Sequence, residues 1–213
     1  VSTAAWETLF DDVLPEVSAC AQNVAAAAIR RATIEFCRDT LVYSAILAPI
    51  NVVAGQRRYI LTPPSADVAV GMILNLSLGG ATCHPVAPDE LAANNPSWMR
   101  ETGSPRGFME PEPGTVEFFP IPDTNTTAGL QAHVALIPSQ TALGAPAWLF
   151  EKHGFEIAEG AKHYLMLTPG RPYSNPTLAD FYGRRFASAK TDAKNAANRG
   201  GARAGMRIQL RKS

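Results

Sequence analysis

Three groupings in this 213-residue sequence contain residue types that chemistry uses. The first is Glu156, Glu159 and His163, which a helix would gather on one narrow arc, as on a metal-binding face. The Glu-x-x-His spacing of carboxylate-bridged metal sites is absent, however, and no second helix offers matching ligands. An exposed polar helix face accounts for these residues without a metal. The second is the adjacent pair Cys83-His84, a thiol beside a base. Neighbours in a strand point to opposite faces, so these two would not meet. The third is the run Gly200-Gly201-Ala202-Arg203-Ala204-Gly205, which lacks a following Lys-Ser/Thr and a strand-to-helix setting. It is not a phosphate loop, and no Gly-x-Ser-x-Gly elbow occurs. The expectation is a protein that is not an enzyme and holds no cofactor and no metal.

Charge is more informative. Formal charge sums to zero, which argues against a dedicated nucleic-acid binder, but the sum hides a gradient. Residues 1–150 carry seven Lys/Arg against fourteen Asp/Glu, and residues 151–213 carry twelve against five. After Phe181 there are nine basic residues and one acid, Asp192. Three readings of this basic end stand together. It is a solvated helix face with a loose tail, a nucleic-acid contact driven by charge, or a segment that docks on a protein. Aromatic residues that could stack on bases stop at Phe186. Ile208 and Leu210 alternate with Arg207, Gln209 and Arg211, a pattern suited to a partner's sheet edge or acidic groove. Such a tail would order on binding.

Helices are expected to frame the chain. Ser2 or Thr3 can cap a short helix bearing Trp6, Leu9, Phe10 and Val13, with Asp11, Asp12 and Glu16 on its other side. A longer alanine-rich helix begins near Ala19, with Val24, Ala28, Ile29, Ala32 and Phe36 at helical spacing. A central helix starts at Pro146 and stops at Thr168-Pro169-Gly170. Leu149, Phe150, Ile157, Tyr164 and Leu165 lie on its apolar half, and Glu151, Lys152, Glu156, Glu159, Lys162 and His163 on its polar half. Gly154 and Gly160 fall on the apolar half and mark close approach of another helix backbone. Thr177 or Asn175 caps a last helix whose apolar stripe is Leu178, Phe181, Tyr182, Phe186 and Ala189.

Between these lie short β-rich runs, with boundaries near Leu41–Leu47, Asn51–Val53, Arg58–Leu61, Val68–Leu78, Thr82–Val86, Gly107–Met109, Thr115–Phe119 and Gln131–Ile137. Gly79-Gly80 signals a hairpin, and Asp89-Glu90-Leu91 after Pro88 a helical turn. The expected class is α+β: a helical bundle from both chain ends (1–40 and 141–198), an inserted antiparallel β-rich sandwich or barrel-like domain (41–140), and an extended C-terminal tail (199–213). The widely spaced Cys20, Cys37 and Cys83 suit buried thiols in a reducing compartment. No signal peptide and no membrane span are expected.

Taken in order, IRRATIEFCRDT, INVVAGQRRYILTPP, CHPVAPDEL, VEFFPIP, ALIPS, PAWLFEKHGFEIAEGAKHYLML and PGRPYSNPTLADFYGRRF resemble the head-to-tail adaptor (connector) proteins of tailed bacteriophages. The resemblance implies a structural virion protein, made in the host cytoplasm, at the head-to-tail interface. It implies a homo-oligomeric ring of about twelve copies, with packaged DNA passing through the channel. Its partners would be the portal protein, reached by the C-terminal segment, and a downstream tail protein (tube, stopper or nozzle) facing the β-domain. The residues expected to reach the portal are Arg199, Arg203, Arg207, Ile208, Leu210, Arg211 and Lys212. The alternative is a DNA-binding accessory protein that grips the duplex with its basic helix and tail. A metal-dependent enzyme is a distant third.

Overall fold

The computed structural model describes residues 2–95 and 97–199. In chain order the elements are β1 (Thr3–Ala5), α1 (Phe10–Val13) between the 3-10 turns Trp6–Leu9 and Leu14–Glu16, and α2 (Gln22–Thr40). The β-rich stretch then runs β2 (Ser44–Ile46), β3 (Ile50–Val52), β4 (Arg58–Ile60), β5 (Val68–Leu78) and β6 (Ala81–Pro85). After α3 (Pro88–Asn94) come β7 (Thr102–Gly103), β8 (Gly107–Glu112), β9 (Thr115–Phe119), β10 (Ile121–Pro122), β11 (Thr126–Pro138) and β12 (Gly144–Pro146). The chain closes with α4 (Ala147–Met166) and α5 (Pro176–Asn198). The class is α+β, as the sequence suggests. No helix among the described residues is long and apolar enough to cross a membrane.

The described residues divide into two compact units, 2–5 with 43–147, and 6–42 with 148–199. The first is built on one curled eight-stranded sheet in the order β2-β11-β5-β6-β8-β9-β4, with β3 also on β11. Strand β11 organises it. Its alternate residues Leu130, Ala132, Val134 and Leu136 are buried and meet Leu76, Val116 and Phe118 in the core. That alternation of period two is what puts one face of a strand inside. Gly79 and Gly80, at φ +58° and +86°, turn β5 into β6 at no steric cost.

Residues Thr3–Ala5 form a strand, not a helix cap, and pair antiparallel with Gly144–Pro146. Pro146 accordingly ends β12, and α4 begins one residue later. The residues after β1 form two 3-10 turns around a single α-turn instead of one amphipathic helix.

The second unit is helical. Ile29, Ala32, Phe36 and Cys37 of α2 and Leu149, Ile157, Ala161 and Leu165 of α4 are buried. Leu41 ends α2 in the left-handed conformation, φ +59°, its N–H donating to Cys37 O. All three cysteines are free. Burial pushes the Cys37 thiol up to about 12, which leaves it a small apolar side chain without thiolate character. The imidazole of His153, ring centroid 4.9 Å from that of Phe36, is lowered by desolvation, so it packs as a neutral ring.

The glycines on these helices receive side chains, not the helix backbone expected from the sequence. A Cβ on Gly160 would stand 2.8 Å from the Phe186 ring, and one on Gly154 would stand 3.0 Å from Leu9 Cδ2. Gly183 of α5 returns the contact, since a Cβ there would lie 2.6 Å from His163 Nδ1. That nitrogen is 2.7 Å from Ala179 O. Gly183→Ala should gain roughly 1 kcal/mol of helix propensity but lose more by overpacking, about 1–3 kcal/mol. A net loss of stability in urea unfolding is the expected result.

Candidate docking surfaces

The polar half of α4 does not face solvent as the sequence suggests. Glu151 and Lys152 are exposed, but Glu159 and Lys162 are buried at 3% and 6% exposure. Each is matched by a residue far away in sequence. Lys162 Nζ donates to Glu16 Oε1 at 2.8 Å, and the same carboxylate accepts from Tyr182 Oη. Arg185 Nε stands 2.8 Å from Glu159 Oε1, an ion contact not aligned as a hydrogen bond. Burial raises the Glu159 carboxyl above its ordinary value, and the charges of Arg185 and Lys162 pull it back. Glu35 of α2 accepts from Tyr164 Oη and from Lys190 Nζ at 2.5 Å. Glu156, Glu159 and His163 therefore do not act as a set: Glu159 serves Arg185, and His163 serves Ala179 O. Cys83 is buried and His84 exposed, on opposite faces of β6. Among the described residues no three His, Cys, Asp or Glu side chains gather as metal ligands.

The basic face of α5 is largely committed within the helical unit. Asn175 caps the helix, its Oδ1 accepting from Leu178 N at 3.1 Å. Arg184 pairs with Asp180 one turn earlier at 3.1 Å. Lys190 bonds both Glu35 and Asp39. Burial disfavours its charge, and hydrogen bonds to Asp39 and Glu35 outweigh that, so its pKa is raised. Lys194 and Arg199 are exposed. Arg199 closes the helix, its N–H reaching Ala196 O and Ala197 O. Of the other expected tail contacts, Arg203, Arg207, Ile208, Leu210, Arg211 and Lys212 lie outside the described residues, as does the glycine-rich run 200–205.

Two surfaces escaped the sequence reading. Leu178 and Phe181, part of the apolar stripe expected of α5, are exposed at 41% and 43%. Ala179, Tyr182, Phe186 and Ala193 form the actual buried stripe. Phe181 joins Phe155, itself 56% exposed, on either side of Arg185, whose guanidinium carbon is 5.3 Å from one ring centroid and 5.4 Å from the other. With Glu159 against the same guanidinium, the three side chains make one exposed aromatic and cationic cluster. The available signal was Phe155, which with Trp148 falls among the charged residues on the polar arc of α4.

The second surface is a groove of about 670 Å³ on the β-rich unit, lined by Met72, Leu74, Trp98, Met99, Phe108 and Met109 among others. Met72, Leu74 and Met99 are exposed in it, whereas Trp98 is buried beneath Arg57. An apolar opening of this kind needs either an occupant or a stated use. Its methionines were visible in the sequence, but nothing there says they converge.

A family model described as SU10 adaptor protein matches residues 3–209, nearly the whole chain. No curated protein matches it.

Proposed function

Since the chain belongs to the SU10 adaptor protein family, we propose that it is a structural component of a phage virion, a head-to-tail adaptor that joins the portal to the tail. It works by shape and multivalent docking, with no catalytic step. The match over residues 3–209 carries this reading. About twelve copies form a ring around the DNA channel. The basic C-terminal segment reaches the portal, and the β-rich unit faces the next tail protein. The ring multiplies each weak contact, because every further contact of a joined ring is intramolecular.

The ion pairs of α5 favour this over a DNA-gripping role. Arg185 and Lys190 are matched by Glu159, Glu35 and Asp39. A helix that reads the phosphate backbone needs those charges free to displace counterions.

The test is recovery of partners by tagged protein from cells producing the parent particle, comparing the full chain with a version ending at Asn198. Full-length protein should bring down a portal, and the shortened one should not. Neutralising Arg207 and Arg211 together should cut portal recovery about tenfold. Recovery with both versions would keep the adaptor and remove the tail contact. Recovery of nuclease-sensitive DNA alone would replace the adaptor with the DNA-binding reading.

A further inference from the structure

The groove owes its shape to the way β6 pairs. β6 forms a hairpin with β5 only at Leu76–Leu78. It then crosses to β8, pairing in parallel through His84 with Gly107 and Pro85 with Phe108, before the chain leaves for α3. The sheet therefore splits. From Val68 to Asn75, β5 has β11 on one side and, among the described residues, no strand on the other. Met109–Glu112 of β8 likewise has only β9. The two open edges flank the groove.

They are not equivalent. Pro111 lacks an N–H and blunts the β8 edge. β5 has no proline, though its irregularities at Leu74 and Gly71 limit regular pairing to a few residues. The side chains at hand, Met72, Leu74 and Met99, are exposed and two of them are adaptable thioethers. The charged residues lining the groove are Glu110, which accepts from Gly114 N at 2.9 Å and has no cation partner among the described residues, and Glu117, which pairs with Arg58 at 2.8 Å. The unit as a whole has eight acidic residues against four basic ones.

One segment of this chain has the complementary chemistry. Residues 199–213 hold five basic residues and no acid, with Ile208 and Leu210 two apart between Arg207 and Arg211. We propose that in the free protein the segment Arg207–Arg211 of one copy adds as a short strand to the β5 edge in the groove of a second copy. Ile208 and Leu210 face Met72, Leu74 and Met99, and the arginines face the acidic rim. This is strand addition with side-chain pockets setting the register. A donor on one copy and an acceptor on the next make a head-to-tail contact, the kind that closes into rings. The portal then competes for the same segment. The inference rests on the reading of the tail as a docking segment.

The test compares the full chain with the chain ending at Arg199, each with and without Leu74→Glu or Met99→Glu. A labelled synthetic peptide of residues 200–213 serves as the probe. The full chain should show concentration-dependent association by light scattering. The shortened chain should be monomeric and bind the peptide, with Leu74→Glu weakening that binding about tenfold and dispersing the full-length oligomer. Met99→Glu, on an exposed 3-10 turn outside the sheet, should do the same and guards against misfolding of the first variant. Equal peptide binding with and without both substitutions, or no binding at all, overturns the proposal. A monomeric full chain whose shortened form binds the peptide also overturns it, assigning the groove to the chain's own tail. Portal recovery by Leu74→Glu protein is scored separately, so the groove can fail while the adaptor role stands.

Discussion

Gly144→Ala is expected to destabilise the protein by about 3 kcal/mol, lowering the unfolding midpoint by roughly 6–12 °C. A Cβ on Gly144 would fall 2.1 Å from Ala4 O, 2.9 Å from Ala4 C and 3.1 Å from Ala5 Cα. All three atoms are backbone, so no rotamer change can make room. The remaining escape is for β1 to leave β12, with loss of the ladder from Thr3 to Ala5 and of the bond from Ala147 N to Ser2 O at 2.9 Å. That escape caps the cost and gives the prediction its signature. A chain lacking residues 1–5 should be about as unstable as Gly144→Ala, and combining the two changes should add almost nothing. Additive losses in thermal unfolding would show that Gly144 is constrained by something other than β1.

Arg185→Met is expected to cost about 3 kcal/mol near neutral pH, because it strands a buried carboxylate. Glu159 is 3% exposed, and without Arg185 only Lys162 remains to offset its charge. The effect should depend on pH with a defined sign. Burial sets the folded-state pKa of Glu159 above its unfolded value, so the folded state binds this proton more tightly. The cost of the ionised form is therefore in force above the raised folded value and fades as pH falls toward the unfolded one. Removing Arg185 raises the folded value further, which widens that window upward. The stability gap between the native protein and Arg185→Met, read from urea unfolding, should shrink steadily with acidification. Adding Glu159→Gln should recover most of the loss at neutral pH. A gap constant with pH would mean that the guanidinium contributes through its packing on Phe155 and Phe181.

Local signals in the sequence located most elements. β5 and β9 appear at the expected bounds, Val68–Leu78 and Thr115–Phe119, because turn-forming residues punctuate them. Of the two caps the sequence offered for α5, Thr177 and Asn175, the structure uses Asn175, just before Pro176. Features defined by a distant partner were not legible. Thr3–Ala5 reads as a strand only once Gly144–Pro146 lies beside it. Helical periodicity sorts α4 into apolar and polar halves but treats polar as outside. It cannot know that Glu16 and Arg185 arrive to neutralise Lys162 and Glu159. Phe181 failed the opposite way, its apolar side chain held at the surface by a cation. The groove is illegible for a third reason, since it is a gap left by the shortness of β6.

The pairs that close the helical unit also set a timetable for its synthesis. Glu16 and Lys162 are separated by 146 positions, Glu35 and Lys190 by 155, and Glu16 and Tyr182 by 166. A ribosome therefore releases the entire stretch from Tyr43 to Ala147 before the first turn of α4 exists. Through that interval α2 has emerged with Ile29, Phe36 and Cys37 uncovered, waiting on residues not yet translated. Nascent-chain order thus favours completion of the inserted β-rich unit first. Helices from the two sides of the β-rich unit can be sealed together only once α5 clears the exit tunnel. A premature stop ahead of Pro176 would leave the Glu16 and Glu35 carboxylates without Tyr182 and Lys190, and the alanine-rich helix open to aggregation.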